Sequence, residues 1–462
     1  MQESNTTGER MEREIMQDLL KWRERSDRKP LILLGARQVG KTYILKEFGQ
    51  RYYEQTAYIN CDNNEMVKDF FLTDYYIRRI LLAIGSITGV SIQPGKTLII
   101  LDEIQELRRG LNALKYFCEE APEYHVAVAG SLLGITLHQG ESFPVGKVNT
   151  LHIRPMTYEE FLMAKGQHQI YDVLKSRQWD VIASTRSLYI QSLREYYFTG
   201  GMPEAVKAFL ETTDTVQVRE IQKEILLAYD KDISKHAPTS EAVRINMVWK
   251  SIPAQLAKEN SKFIYGAVRK GARAKDFEIA IQWLLDAGLV YKIDRVSKPG
   301  MPLNCYADFS SFKLYLLDCG LLGAMNDMPP SLMLLPNKME ESKGSFTENF
   351  VCAQLHNCHH LSVFYYSKEN SRQEVDFIVQ HDTDIVAIEV KSEENLQSKS
   401  LKAFHCDNPE VGCLRTSMAD YRQEDWMVNV PLYAIRSYWE EATTRFEAQD
   451  GLQPSAPSLL ER

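Results

Sequence analysis

Residues 35 to 42 read Gly35-Ala36-Arg37-Gln38-Val39-Gly40-Lys41-Thr42, which fits the pattern GxxxxGK[ST]. Glycines at those places let successive backbone N–H groups approach phosphate oxygens, and a helix beginning at Lys41 turns its positive dipole end toward the same anion. Lys41 then reaches the β- and γ-phosphates, and the Thr42 hydroxyl is offered to Mg²⁺. The apolar run Leu31 to Leu34 before the pattern and the helical stretch Lys41 to Phe48 after it are the flanks this chemistry needs.

A second dense apolar run, Leu98-Ile99-Ile100-Leu101, ends in Asp102-Glu103. There Asp102 would hold Mg²⁺ through water, and Glu103 would polarise an attacking water, the chemistry of hydrolysis. A third run, Val126 to Ala129, ends in Gly130-Ser131, where the Ser131 hydroxyl is placed to sense a γ-phosphate. ATP is expected over GTP, since a guanine-reading NKxD is missing and the nearest approach, Asn337-Lys338-Met339-Glu340, falls far outside this region. Arg37, Arg108, Arg109 and Arg154 are the candidates for a charge-stabilising arginine, and the sequence does not choose among them.

A separate constellation lies near the carboxy terminus: Glu348 in a helical stretch, Asp376 in the run EVDFIV, and Glu389-Val390-Lys391 closing IVAIEVK. Alternation puts Glu389 and Lys391 on one strand face. The turn formers Gln380 to Asp384 make a hairpin that brings Asp376 alongside Glu389. Two carboxylates and a main-chain carbonyl suit Mg²⁺, with Lys391 orienting or deprotonating a water for attack on a phosphodiester.

Short apolar strands alternating with helices predict a parallel sheet covered on both faces, preceded by an amphipathic helix over Met11 to Arg25 and including a helix from Leu107 to Glu120. Thr157 to Asp232 reads as mostly helical, broken at Gly200-Gly201-Met202-Pro203. A long amphipathic helix from Lys275 to Ala287, a strand over Leu289 to Val296 and a turn over Ser297 to Pro302 suggest a winged helix. Lys258, Lys262, Arg269, Lys270, Arg273 and Lys275 make this stretch basic, with phosphate contacts to DNA as the corresponding expectation. A proline-containing, charged linker precedes a small mixed α/β domain that contains a helix over Ser345 to Leu355, strands over Leu361 to Tyr366, Glu374 to Val379 and Ile385 to Val390, and a helix over Lys399 to Phe404.

The chain has 462 residues, a formal charge of −8, 44% hydrophobic and 25% charged residues, which excludes disorder and an all-over basic nucleic-acid binder. Eight scattered cysteines form no CxxC pair and imply reduced thiols. Cys352 and Cys358 stand among His356, His359 and His360 without paired zinc-finger spacing. No apolar run is long enough for a membrane span, so a cytoplasmic, soluble protein is expected.

GARQVGKT, LDEIQ, AGSLLG, SFPVGKV with RPMTYEEF, GGMPE, LAYDKDISKH, IPAQLAKEN, GARAKDFE and FKLYLLDCGLL together resemble the bacterial and archaeal AAA-type P-loop ATPases joined to a DUF4143 carboxy-terminal region. The resemblance implies a P-loop ATPase with a helical lid, a winged-helix region and a restriction-endonuclease-like tail. The last domain also resembles the PD-(D/E)xK nuclease core, with Asp376, Glu389 and Lys391 in motif positions, Glu348 as an extra helix acid, and Val375 where a proline usually stands. The fold class expected is therefore α/β, in segments 1–155 (P-loop ATPase), 156–240 (helical lid), 241–325 (winged helix), 326–343 (linker), 344–450 (nuclease-like) and 451–462 (tail). The corresponding function is Mg-ATP hydrolysis coupled to a metal-dependent, nuclease-like domain acting on DNA. The alternative is a nucleotide-gated switch whose nuclease fold is a non-cleaving platform. Expected partners are ATP, Mg²⁺, DNA and a possible second copy of the chain.

Overall fold

A computed structural model describes residues 11–62, 64–68, 74–107, 109–130, 133–136, 144–258, 261–335, 343–358, 360–368, 373–394 and 397–440. The chain divides into two compact units. One comprises Glu12–Pro155 with Ile281–Leu289, and the other takes in Met156–Ala280 and the chain from Val290 onward.

In the first unit, Leu31–Leu34 (β1), Gln55–Asn60 (β2), Thr97–Asp102 (β3), His125–Ala129 (β4) and Asn149–His152 (β5) form one sheet in the order β2-β3-β4-β1-β5. Every pairing in it is parallel. The three continuous apolar runs became the three central strands, because a parallel sheet with both faces covered buries every residue along such a strand. β3 and β4 are buried at all positions, and each large apolar side chain so buried contributes about 1.5–3 kcal/mol. The two edge strands were not predicted. β2 and β5 alternate between more and less accessible residues and carry no continuous apolar run. Helices Lys41–Tyr52, Ile77–Thr88 and Gly110–Glu120 cover the sheet. The last begins three residues later than the predicted Leu107, because Arg109 stands at φ 67°, a left-handed conformation that a right-handed helix does not include.

The second unit opens with helices at Tyr158–Ala164, His168–Lys175, Trp179–Ser184, Arg186–Thr199, Pro203–Thr212, Thr215–His236 and Ala242–Leu256. Its sheet has eight strands: Val290–Val296 (β6), Ala307–Leu316 (β7), Leu361–Ser367 (β8), Glu374–His381 (β9), Asp384–Val390 (β10), Gly412–Ser417 (β11), Arg422–Gln423 (β12) and Val428–Pro431 (β13). They run in the order β12-β13-β11-β10-β9-β8-β6-β7.

Here the structure departs from the winged-helix reading. β6 and β7 form an antiparallel hairpin, but β6 also pairs in parallel with β8 across the stretch expected to be a linker. The hairpin therefore satisfies its edge by extending the carboxy-terminal sheet. The predicted helix Lys275–Ala287 is also shorter. Ala274–Asp276 is a 3-10 turn, Phe277 leaves helical geometry, and the helix proper is Glu278–Asp286. Residues 336–342 of the linker and the tail lie outside the described residues, and the linker's first part contains the helix Pro330–Leu334.

One node explains two of the glycine motifs. The buried Asp318 caps the helix Cys319–Met325 through Leu321 N–H at 2.9 Å and accepts from Gly201 N–H at 2.6 Å. Gly201 O in turn accepts from Met156 N–H at 2.7 Å. A Cβ on Gly201 would stand 2.1 Å from Met156 O, and one on Gly320 would stand 2.5 Å from Thr199 O, so both glycines are required by backbone approach.

Candidate functional site

The loop from Gly35 to Gly40 joins β1 to the helix Lys41–Tyr52. Gly40 has φ 96° and Gln38 has φ 66°, so the backbone makes the tight left-handed turns that a phosphate cradle uses. A Cβ on Gly35 would lie 2.3 Å from Ile153 O, which excludes any other residue there. Ala36 and Val39 face inward, whereas Arg37 and Gln38 are exposed. Lys41 is buried, and its Nζ donates to Gly35 O at 2.8 Å and Ala36 O at 2.7 Å, so the ammonium is held over the loop itself.

Arg13, which the sequence reading did not single out, braces the loop from behind. It donates to Val39 O at 3.1 Å and Arg154 O at 2.7 Å. Its only sequence signal is a charged residue at the start of an amphipathic helix, which does not distinguish a brace from a solvated surface arginine.

β4 lies between β1 and β3, and the end of β3 presents Asp102 to the loop. Thr42 Oγ1 donates to Asp102 Oδ2 at 2.7 Å, and Tyr58 OH on neighbouring β2 donates to the same oxygen at 3.1 Å. Asp102 Oδ1 is buried with no hydrogen-bond partner among the described residues. A buried carboxylate oxygen without a donor is costly unless a cation or water completes it. Thr42 and Asp102 thus fit a Mg²⁺ ion on the chemistry of their donors. Glu103 follows with φ 53°, a left-handed conformation unusual for this residue. Gln105 Nε2 donates to Glu103 Oε2 at 2.5 Å, and the Gln105 side chain lies against Gly130 at the end of β4, where a Cβ would come within 2.0 Å of Gln105 Oε1. Burial, with Asp102 and Glu103 nearby, pushes the Cys61 thiol up to about 12.

Of the arginine candidates, Arg109 is engaged by Tyr75, donating from Nε to its hydroxyl at 2.9 Å with the guanidinium 4.5 Å from the ring centroid. Ser131 and Arg108 lie outside the described residues, as do Asn337 to Glu340 and His359.

In the second unit, β9 and β10 form the predicted hairpin, with Phe377 opposite Ile388 and Asp382 in the turn at φ 49°. Asp376 Oδ2 accepts from Val390 N–H at 2.8 Å, which brings Asp376 beside the end of β10. Glu389 is buried. Its Oε1 is 3.0 Å from Lys391 Nζ, and its Oε2 has no hydrogen-bond partner among the described residues. Glu348 Oε2 accepts from Tyr315 OH at 2.9 Å and Ser261 Oγ at 3.2 Å. Burial, reinforced by Asp376 and opposed by Lys313, raises the affinity of the Glu348 carboxyl for its proton.

The residue that sequence reasoning missed is Lys313 on β7. Its side chain is 1% exposed, its Nζ is 2.6 Å from Glu374 Oε1 and 5.0 Å from the centroid of the Tyr365 ring. Glu348, Glu374 and Asp376 together hold its ammonium charged against the cost of burial. A lysine inside an apolar strand, SFKLYLL, gave no hint of this partnership, because the acids come from distant segments. Among the described residues no three His, Cys, Asp or Glu side chains form a metal-holding group. The basic residues Lys262, Arg269, Lys270, Arg273 and Lys275 are exposed, but they precede the helix Glu278–Asp286 instead of lying on it. No helix among the described residues is long and apolar enough to cross a membrane.

A family model described as an AAA domain matches residues 27–162, which contain the entire loop and the Asp102-Glu103 pair. Residues 343–435 match a domain of unknown function, DUF4143, and residues 190–332 match another, DUF8612. The chain thus contains an AAA domain and a DUF4143 domain. No curated protein matches. Among solved structures, the Aeropyrum pernix Orc1 protein in complex with DNA is 13% identical, covers 70% of this chain and 92% of its own, and has a TM-score of 0.24. Cdc6p from Pyrobaculum aerophilum is 12% identical, covers 68% and 91%, and has a TM-score of 0.23. Likeness at those scores transfers no property to this chain.

Proposed function

We propose that the protein is a Mg-ATP-hydrolysing AAA-type ATPase whose nucleotide state governs a nuclease-like carboxy-terminal domain acting on DNA. The observation that carries the ATPase half is the meeting of Thr42 and Asp102 at 2.7 Å with a buried, unpartnered Asp102 oxygen beside them. Backbone N–H groups of the loop and Lys41 bind the phosphates, and Arg13 keeps the loop in place. Thr42, and Asp102 through water, would hold Mg²⁺, which when bound would supply neutralising charge to the β- and γ-phosphates. Glu103 orients and polarises the attacking water, and Gln105 fixes that carboxylate by its hydrogen bond. Lys41→Ala is expected to abolish ATP hydrolysis measured as phosphate release; turnover equal to wild type would refute this reading.

For the carboxy-terminal domain, Asp376, Glu389 and Lys391 support a PD-(D/E)xK-like arrangement through the hairpin that joins them. Cleavage of DNA by a metal held there is one reading. A specific observation favours the second, in which the domain is a non-cleaving docking or DNA-binding platform: Lys313 already supplies the positive charge among Glu348, Glu374 and Asp376. Incubating purified protein with single-stranded, double-stranded and branched DNA, Mg²⁺ or Mn²⁺ and ATP separates the two. Intact DNA is the outcome for a platform, and Asp376-dependent cleavage is the outcome for a nuclease.

A further inference from the structure

The carboxylates of the second unit are arranged around a cation that belongs to the chain. Glu374 and Asp376 lie two residues apart on β9, and Glu348 comes from the helix Lys343–His356. Lys313 enters from β7, a strand that precedes all of them in the chain and lies at the opposite end of the sheet order from β12. It is 1% exposed, and its Nζ stands 2.6 Å from Glu374 Oε1. The same segment satisfies Glu348: Tyr315, two residues further on, donates to it at 2.9 Å, and Ser261, beside the bridge that links Lys262 to Lys313, donates at 3.2 Å. Asp376 spends one oxygen on Val390 N–H.

A buried lysine is retained in charged form only where acids surround it, and the acids in turn are tolerated only beside a cation. A divalent ion at the same place would have to displace Lys313 or stand beside it at close range, and like charges brought together in a buried site repel strongly. The donor set therefore does not fit a resident metal while Lys313 is in place.

We infer that Lys313 is the built-in cation of the Glu348, Glu374 and Asp376 cluster, and that β7 thereby closes this site to divalent metal ions. The inference rests on the platform reading of the carboxy-terminal domain and gives its physical cause. It also assigns a function to β7, which adds its hairpin to the sheet and delivers the neutralising side chain together with the Tyr315 hydroxyl.

The test titrates full-length, nucleotide-free protein with Mn²⁺ and follows free Mn²⁺ by electron paramagnetic resonance. Wild type and Asp376→Asn are expected to give superimposable binding curves. Lys313→Met is expected to gain one Mn²⁺ per chain, and the double variant Lys313→Met with Asp376→Asn to lose it again. A Mn²⁺ site in wild type that Asp376→Asn removes would overturn the inference, as would a folded Lys313→Met that gains none. Where Lys313→Met fails to fold, the comparison of wild type with Asp376→Asn decides alone. Mn²⁺ binding by wild type that Asp376→Asn removes, without DNA cleavage, overturns the role of Lys313 and leaves the platform reading standing; Mn²⁺ bound at Thr42 and Asp102 is common to all variants and cancels in the comparison. Asp376-dependent cleavage overturns both.

Discussion

Thr42 Oγ1 donates to Asp102 Oδ2 at 2.7 Å across 60 residues of sequence, while the other Asp102 oxygen is buried without a partner. This pairing joins the end of the phosphate loop to the end of β3. It leaves one carboxylate oxygen available to Mg²⁺ or its waters. Thr42→Val keeps the side-chain shape and removes the hydroxyl. It is expected to lower Mg²⁺-dependent ATP turnover by about 10- to 100-fold, as loss of an orienting group at a metal site does. The measurement is phosphate release as a function of Mg²⁺ concentration. A change in the Mg²⁺ half-saturation point is the specific signature.

Gln105 holds Glu103 at 2.5 Å and lies against Gly130. Gln105→Ala should leave nucleotide binding intact, because neither the loop nor Lys41 touches it in the contacts described above. Hydrolysis should fall by about 10-fold or more, in the range expected when a general base loses its positioning. Equilibrium binding of a fluorescent ATP analogue and steady-state turnover on the same variant distinguish the two effects. Loss of binding would show that Gln105 acts on the pocket as a whole.

Two buried groups give the units opposite responses to acid. Burial, opposed by hydrogen bonds from Gly201, Leu321 and Gly320, raises the Asp318 carboxyl from 3.8 to about 6. The folded form therefore binds its proton more tightly than the unfolded form. Its contribution to stability is greatest below pH 4 and is lost as pH rises through about 6, by at most about 3 kcal/mol. Burial, with Arg28 and Arg23 nearby, lowers His125 from 6.5 to about 4, and its Nδ1 meets Tyr53 OH at 2.7 Å. That contribution is present above pH 6.5 and is lost as pH falls toward 4, again by about 3 kcal/mol at most. Calorimetric melting between pH 4 and 7 on wild type, Asp318→Asn and His125→Gln checks both signs. Asp318→Asn should remove a term that falls with rising pH, and His125→Gln a term that rises with it.

The parts legible in sequence were those whose signal is local. Leu31 to Leu34, Leu98 to Leu101 and Val126 to Ala129 are continuous apolar runs, and a strand buried on both faces has to look that way. The loop from Gly35 to Thr42 is likewise written in consecutive residues. β2 and β5 were missed because an edge strand alternates and borrows its stability from a neighbour. The partnership of Lys313 with Glu348, Glu374 and Asp376 was missed for a related reason, since it exists only once β7 and β9 share a sheet. The hairpin of β6 and β7 read as a wing because its turn is local, while the pairing of β6 with β8 depends on residues some 70 positions away.

The glycine node at Asp318 gives a final prediction, one about folding. Gly201 and Gly320 each approach another backbone so closely that a methyl group would overlap it, at 2.1 Å from Met156 O and 2.5 Å from Thr199 O. Backbone atoms cannot move aside as a side-chain tip can, so the strain has to be absorbed by the helix Cys319–Met325 or by the turn after Thr199. Gly201→Ala and Gly320→Ala are expected to destabilise the second unit by about 1–3 kcal/mol or more. Gly266→Ala is the control, because nothing lies within 4 Å of the added carbon. It should be neutral or slightly stabilising, since alanine is the better helix former. Urea unfolding followed by circular dichroism reads all three. Equal stability of Gly201→Ala and Gly266→Ala would mean that the close approach at Met156 is absent in solution.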